Sequence, residues 1–298
     1  MTTYSYASSN VRKTWLLIGV FFVFVIFLGW VFSYAFNNQA ILVIFTAVSI
    51  LMSFVSYWHA DKIVLALTKA KEISHSENPE LYHTLENLCI TAGLPLPKFY
   101  FLDEAQPNAF AAGRDPQHAV VVVTRGLLEK LEKPELEGVL SHELSHIGNR
   151  DALLMTVVVV LVGIVSNISN FFLRSRFWGR RSNREEGEIG AIMMVVAILA
   201  AVLAPLAAML LQLAISRKRE FLADASGALL TRYPEGLAKA LEKISQDSSP
   251  LKVASPSTAH LFIASPFRGK ETTNWFVKLF STHPPVEERI KALREMSV

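Results

Sequence analysis

Apolar positions along this chain fall into long uncharged blocks separated by segments of mixed polarity. Trp15 to Phe36 carries no charge, and neither does Gln39 to Trp58, which follows across the polar link Asn37-Asn38. Each block is long enough to cross about 30 Å of hydrocarbon as a helix, so together they predict a transmembrane hairpin. A third block runs from Ala152 to Leu173 and a fourth from Ile189 to Ile215, the latter broken only by Pro205 and Gln212. They predict a second apolar hairpin. Between the hairpins the periodicity shortens. Ile63 to Ile73 reads as a helix leaving the membrane, and Pro79 to Ala92 as an amphipathic helix with Leu81, Leu85 and Leu88 on one face, ended by Gly93 and Pro95. Lys98 to Leu102 and Ala119 to Thr124, rich in aromatic or β-branched residues, read as strands flanking the turn signal Gly113-Arg114-Asp115-Pro116. A further helix starts near Pro134, where proline suits the first turn and Glu135 and Glu137 complement the positive end.

Composition agrees with a membrane protein: 51% of the residues are hydrophobic and 18% charged, and mean hydropathy is +0.33. Arg12 and Lys13 precede the first block while Lys62, Lys69 and Lys71 follow the second, so both ends of that hairpin carry the cytoplasmic positive signature. The first block is too long for a signal-peptide core and no small-residue cleavage pattern follows it, so it is expected to stay as an anchor. The single cysteine, Cys89, forms no intrachain disulfide and is compatible with a reducing compartment. There is no basic patch interleaved with aromatics and no Gly-rich phosphate loop, so nucleic acid is not an expected partner. The link between the third and fourth blocks opposes a simple four-span topology. It holds Arg174, Arg176, Arg180, Arg181 and Arg184, which the positive-inside rule disfavours outside the cytoplasm. Four spans are the expectation, with a buried or re-entrant second hairpin as the alternative.

The chemistry lies in His142-Glu143-Leu144-Ser145-His146, on the helix that starts near Pro134. Residues four apart on a helix share a face, so both imidazoles can reach one metal ion, with Glu143 beside them to take a proton from the attacking water. A catalytic zinc needs three protein ligands and one open position. The extended histidine motif is excluded, because Asn149 and Ala152 occupy the positions of its glycine and third histidine. A later carboxylate is the other solution, and Ser216 to Asp224 is the strongest candidate: Glu220 and Asp224 share a helix face, so that one binds metal while the other braces a neighbour. Helix lengths agree. If the His142 helix runs on into the third block, about 27 residues separate His146 from a hairpin tip near Leu173, or about 40 Å, and about 31 residues from Ile189 to Glu220 bring the chain back beside it.

On these pieces the chain resembles the HtpX-type membrane-integrated zinc metalloproteases, gluzincins related to the CAAX prenyl endopeptidases. The resemblance spans nearly the whole sequence: the N-terminal hairpin, Pro107 to Gly113, Ser141 to His146 with Asn149-Arg150-Asp151, Ser216 to Asp224, and Thr282-His283-Pro284-Pro285 followed by Arg289. It implies a mainly α fold with a small β-sheet, of the zincin type, carrying transmembrane helical hairpins. It implies one Zn2+ per chain held by His142, His146 and Glu220, Glu143 as catalytic base, and a cytoplasmic active site that degrades misfolded or damaged proteins of a bacterial inner membrane. Asn108, Ala109, Phe110 and Ala111 resemble the substrate-binding edge strand of glutamate-liganded zinc proteases; a turn between strands is the other reading of this stretch. Asp224 and Arg289 are expected as an ion pair behind the metal, although Arg289 also suits an exposed helix charge. His283 is the leading oxyanion donor; a fourth metal ligand or a turn histidine held by two prolines are its other readings. His260 is expected at the surface.

The corresponding divisions are 1–60 as membrane hairpin, 61–151 as the first part of the protease domain, 152–215 as the second apolar hairpin and 216–298 as the second part. A zinc transporter is disfavoured, because the apolar blocks lack His, Asp, Glu, Lys and Arg. A catalytically inert membrane scaffold or holdase with a structural zinc is the remaining alternative.

Overall fold

The computed structural model describes residues 3–35, 37–178, 216–249, 251, 253–255, 258–266 and 284–297, with only the backbone of 3–5, 35 and 166–178. Helices α1 (Thr3–Ala35) and α2 (Gln39–Trp58) fold back on one another. Asn37 takes a positive φ in the link and Asn38 caps α2 by accepting the Ala40 N–H, the local reason the two polar residues end one helix and begin the next. Both helices are long and apolar enough to cross a membrane. Their outward sides expose Leu16, Val23, Phe27, Trp30, Val43 and Ile44, a surface that water would not tolerate but lipid does.

The helix expected over Ile63 to Ile73 stops at Thr68 as α3 (Ala60–Thr68). Lys69 enters the left-handed region and the Ala70 N–H bonds the Leu65 carbonyl, closing the helix. Lys71–Glu72 then pairs with a neighbouring strand as β1, so the sheet captures residues that helical periodicity had claimed. Helix α4 (Pro79–Ala92) has the expected bounds, with Asn78 accepting the Leu81 N–H and Gly93 closing the end at φ +65°. Strands β2 (Lys98–Leu102), β3 (Ala109–Gly113) and β4 (Ala119–Thr124) complete a sheet of order β1-β2-β4-β3. β2 runs parallel to β4, and β3 runs antiparallel to it at the edge. Gly113 sits at φ +142°, and a Cβ there would lie 2.4 Å from the His118 carbonyl oxygen, so the turn into β4 depends on glycine.

A short helix, α5 (Arg125–Lys130), leads to α6 (Lys133–Gly148), which carries both histidines. Ala109, Ala111, Val121 and Val123 face α6 and α4, in one core with Leu85, Leu140 and Leu144. Phe110, Ala112, Val120 and Val122 face the other way, onto Val64 of α3 and Met155 and Val159. The latter two belong to α7 (Asp151–Trp178), which sets off at 80° to α6. A straight continuation of the His142 helix into the third apolar block is therefore corrected. Arg150, at φ +60°, turns the chain between the two helices, just after Gly148 and Asn149, which are poor helix formers. Leu153, Leu154, Val157, Val158 and Leu161 of α7 pack on Leu17, Ile18, Phe21 and Val25 of α1.

After residue 215 the chain forms α8 (Arg217–Thr231), α9 (Pro234–Gln246) and, at its end, α10 (Val286–Arg294). The fourth apolar block and the link from residue 179 lie outside the described residues, so the second hairpin and its arginine-rich tip are not described.

Candidate metal centre

Two turns of α6 and one of α8 make the centre. α6 starts with a reciprocal cap between Glu132 and Glu135 and places His142 and His146 one turn apart on its buried side. α8 crosses it closely because Gly227 has no side chain: a Cβ there would lie 2.9 Å from the His142 backbone nitrogen. The crossing brings Glu220 to both rings, 3.9 Å from His142 Nε2 and 3.7 Å from His146 Nε2. The two Nε2 atoms are 3.1 Å apart. Among the described residues these three form the one group of His, Cys, Asp or Glu whose ligand atoms converge, all within 4.8 Å. Substituting Gly227→Ala is expected to push α8 off His142 and weaken metal binding by about tenfold, the scale of a lost ligand support. Chelator competition measures it, and wild-type affinity in the variant would contradict this packing role.

Each ring is held from behind by a carboxylate. His142 Nδ1 lies 2.9 Å from Asp224 Oδ1, close although not aligned for a hydrogen bond. His146 Nδ1 lies 3.2 Å from Asp151 Oδ2. Each carboxylate meets an arginine in turn. Arg289, fully buried, gives Asp224 a bidentate pair at 2.7 and 2.6 Å, so the alternative of an exposed helix charge is corrected. Its place beneath α8 follows from α10 packing on α8 and α9. Arg219 stands 3.6 Å from Asp151 Oδ1. Asp151 and Arg219 were not singled out by sequence spacing. Asp151 comes five residues after His146, off the helical repeat, and reaches the ring because the chain bends between them.

Burial sets the protonation of these groups. It drives His142 down to about 4, against the pull of Asp224, so the ring is neutral near pH 7. Burial also pushes His146 down, but the Asp151 hydrogen bond and the charges of Glu220, Asp151 and Glu143 outweigh it and raise the group to about 9. Metal uptake near neutrality must then expel a proton from His146. Glu143 is raised to about 7, chiefly by burial and against the charge of His146, with Glu220 adding to the rise and the Ala111 backbone opposing it. Among the described residues neither of its oxygens has a hydrogen-bond partner within normal geometry. Asp224 falls to about 2: burial alone would raise it, and Arg289 more than reverses that.

The edge strand lies against this centre and is itself covered. The Ala109 carbonyl accepts the Ile263 N–H at 3.0 Å, Asn108 Nδ2 donates to the Ala264 carbonyl at 3.1 Å, and Arg289 Nη1 donates to the Ile263 carbonyl at 2.9 Å. Residues 262–264 thus form a strip between β3 and α10. Phe110 turns its ring away from α6 onto Phe262, with centroids 5.2 Å apart, so its side chain serves the core. His260 is buried, with Nε2 3.2 Å from the Met155 carbonyl. The expectation of a surface histidine is corrected: the loop covers the sheet edge and is packed there. His283 lies outside the described residues.

Residues 75–297 match the family model described as Peptidase family M48. A protein named Protease HtpX homolog from Thermoanaerobacter pseudethanolicus is 43% identical over 100% of this chain and 99% of its own length. Proteins of that name from Tropheryma whipplei and Pyrococcus furiosus are each 45% identical, over 98% and 95% of this chain and 98% and 96% of theirs. Among solved structures, that of S. mikatae Ste24p aligns with a TM-score of 0.48 at 18% identity, over 98% of this chain and 66% of that one. By the family match and by these relatives, the chain belongs to peptidase family M48.

Proposed function

We propose that this chain is a membrane-bound zinc endopeptidase that cuts misfolded or damaged membrane proteins at the cytoplasmic face of a bacterial inner membrane. The observation that carries the reading is the convergence of His142, His146 and Glu220 beside the unpartnered buried carboxylate of Glu143. The donor set fits a metal. Two ligand nitrogens about 2.0–2.1 Å from a tetrahedral ion stand about 3.3 Å apart, and here they stand 3.1 Å apart. Two imidazoles and one carboxylate leave a position open, the ligand count of catalytic zinc in thermolysin-like sites. Bound there, zinc supplies Lewis acidity and brings the pKa of a water towards neutrality.

The protein's own groups do the rest. Asp224 and Asp151 fix the ring orientations, so that both Nε2 atoms aim at one point. Glu143 takes the proton of the attacking water and returns it to the leaving amine, a task suited to a carboxyl raised near neutrality. An extended substrate adds to the outer edge of β3 beside Glu143, taking over the bond that Ile263 now makes to Ala109; backbone pairing of that kind tolerates many sequences. The positive flanks of the α1–α2 hairpin support the cytoplasmic orientation. An inert scaffold has no use for an unpaired carboxylate buried beside three convergent ligands, a costly arrangement.

Metal removal tests the reading. Purified protein in detergent is expected to cleave an unfolded chain, to lose that activity with a strong chelator, and to regain it with stoichiometric zinc. Cleavage that survives complete metal removal would defeat the proposal.

A further inference from the structure

Asn10 belongs to the first membrane helix, yet it is 2% exposed and makes its contacts at the metal centre. Its Nδ2 donates to the Asp151 carboxylate at 2.6 Å and to the Asn149 carbonyl at 2.9 Å. The first acceptor is the carboxylate that faces His146 Nδ1 through its other oxygen. The second is the carbonyl at the end of α6, where the helix has no further turn to satisfy it. One carboxamide therefore holds both sides of the 80° bend on which the position of Asp151 depends.

We propose that Asn10 is a positioning residue of the metal centre, acting on His146 through Asp151, and that the first membrane helix is thereby part of the site it anchors. A buried carboxylate facing a histidine must be fixed in direction and charge if the ring is to present its lone pair steadily. Among the described residues Asp151 Oδ1 meets Asn10 at hydrogen-bond distance and Arg219 at 3.6 Å. The nearer of them comes from a segment 141 residues away in sequence. Packing of α1 on α7 keeps it there: Leu17, Ile18 and Phe21 follow Asn10 along α1 and seat against the first turns of α7, which begin at Asp151. Thr14 is buried as well, but its hydroxyl donates only to the Asn10 backbone carbonyl. It shares the place without the connection.

This inference rests on the reading of His142, His146 and Glu220 as metal ligands. The test uses full-length protein in detergent, with Asn10→Ala, Thr14→Val, Asp151→Asn and the double variant Asn10→Ala/Asp151→Asn. Asn10→Ala is expected to lower zinc affinity in chelator competition by about tenfold, the lower end of the range for groups supporting a ligand. It should also change the visible spectrum of the cobalt-substituted protein. Thr14→Val is expected to change neither. The double variant is expected to lose little more than Asp151→Asn alone, because both substitutions break one chain of contacts. Wild-type affinity and spectrum in Asn10→Ala, an equal loss in Thr14→Val, or fully additive losses would overturn the assignment. So would earlier melting of Asn10→Ala without metal at unchanged zinc affinity, which marks a fold contact only. A His146→Ala control separates the two readings: undiminished affinity there defeats the ligand assignment itself, whereas undiminished affinity confined to Asn10→Ala defeats this inference alone.

Discussion

Glu143→Gln is expected to cut cleavage to a small residual rate while leaving zinc content unchanged. The amide keeps the size of the side chain but cannot accept a proton, and general-base assistance accounts for about 10² to 10⁴ in rate. Because Glu143 is not among the three converging ligands, kcat should fall without loss of metal. The pH profile gives a second check. Burial, the largest influence, raises Glu143 to about 7 in the metal-free protein, and the base works only when ionised, so wild-type activity is lost on the acid side of its profile. Bound zinc favours the carboxylate and moves the acid limb lower. Residual activity in the amide variant should lack this limb. Cleavage at the wild-type rate with full zinc content would exclude Glu143 as the base.

Arg289→Met is expected to be the most damaging substitution outside the ligands. It leaves Asp224 buried without its bidentate partner, and breaking a buried pair from one side costs about 3–5 kcal/mol. The sign follows from Asp224, which Arg289 holds at about 2 despite burial. Its stabilising contribution is fully present at neutral pH and is lost as pH falls towards that value. Removing the arginine removes that contribution at pH 7, and the carboxyl takes up a proton. Denaturation in detergent, metal-free and zinc-loaded, should show both forms weakened, the loaded form more so because His142 loses its support. Arg289→Lys keeps the charge but not the fork and should fall between. A methionine variant of wild-type stability and zinc affinity would show that the pair is idle.

Local rules made part of this legible. The His142–His146 pair follows from helical repeat alone, and α4 announces both ends through Asn78, Pro79 and Gly93. β1 was hidden because two residues carry no periodicity and gain their conformation from β2. The bend at Gly148-Asn149-Arg150 was hidden by the apolar run that follows it. Asp151, Arg219 and Asn10 were hidden for a stronger reason: they meet only after α1, α7 and α8 have packed, and no spacing along the chain encodes that meeting. Asp224 followed from the helix face it shares with Glu220, but its pairing with Arg289, 65 residues away, was reached only through the family resemblance. His260 misled because loop-like composition argues for the surface, and this loop is used to close a sheet edge.

That closed edge changes what admission of a substrate means. The guanidinium that steadies His142 through Asp224 also grips the Ile263 carbonyl, and the Ile263 N–H grips Ala109. A chain entering beside β3 must lift this strip and so pull on the support of a ligand. On the proposed substrate path, lifting of the strip and binding of the metal would then be linked reciprocally, each shifting the other by the same factor. Discrimination would lie in how readily a client can supply a free extended segment to replace the strip, with side-chain identity secondary.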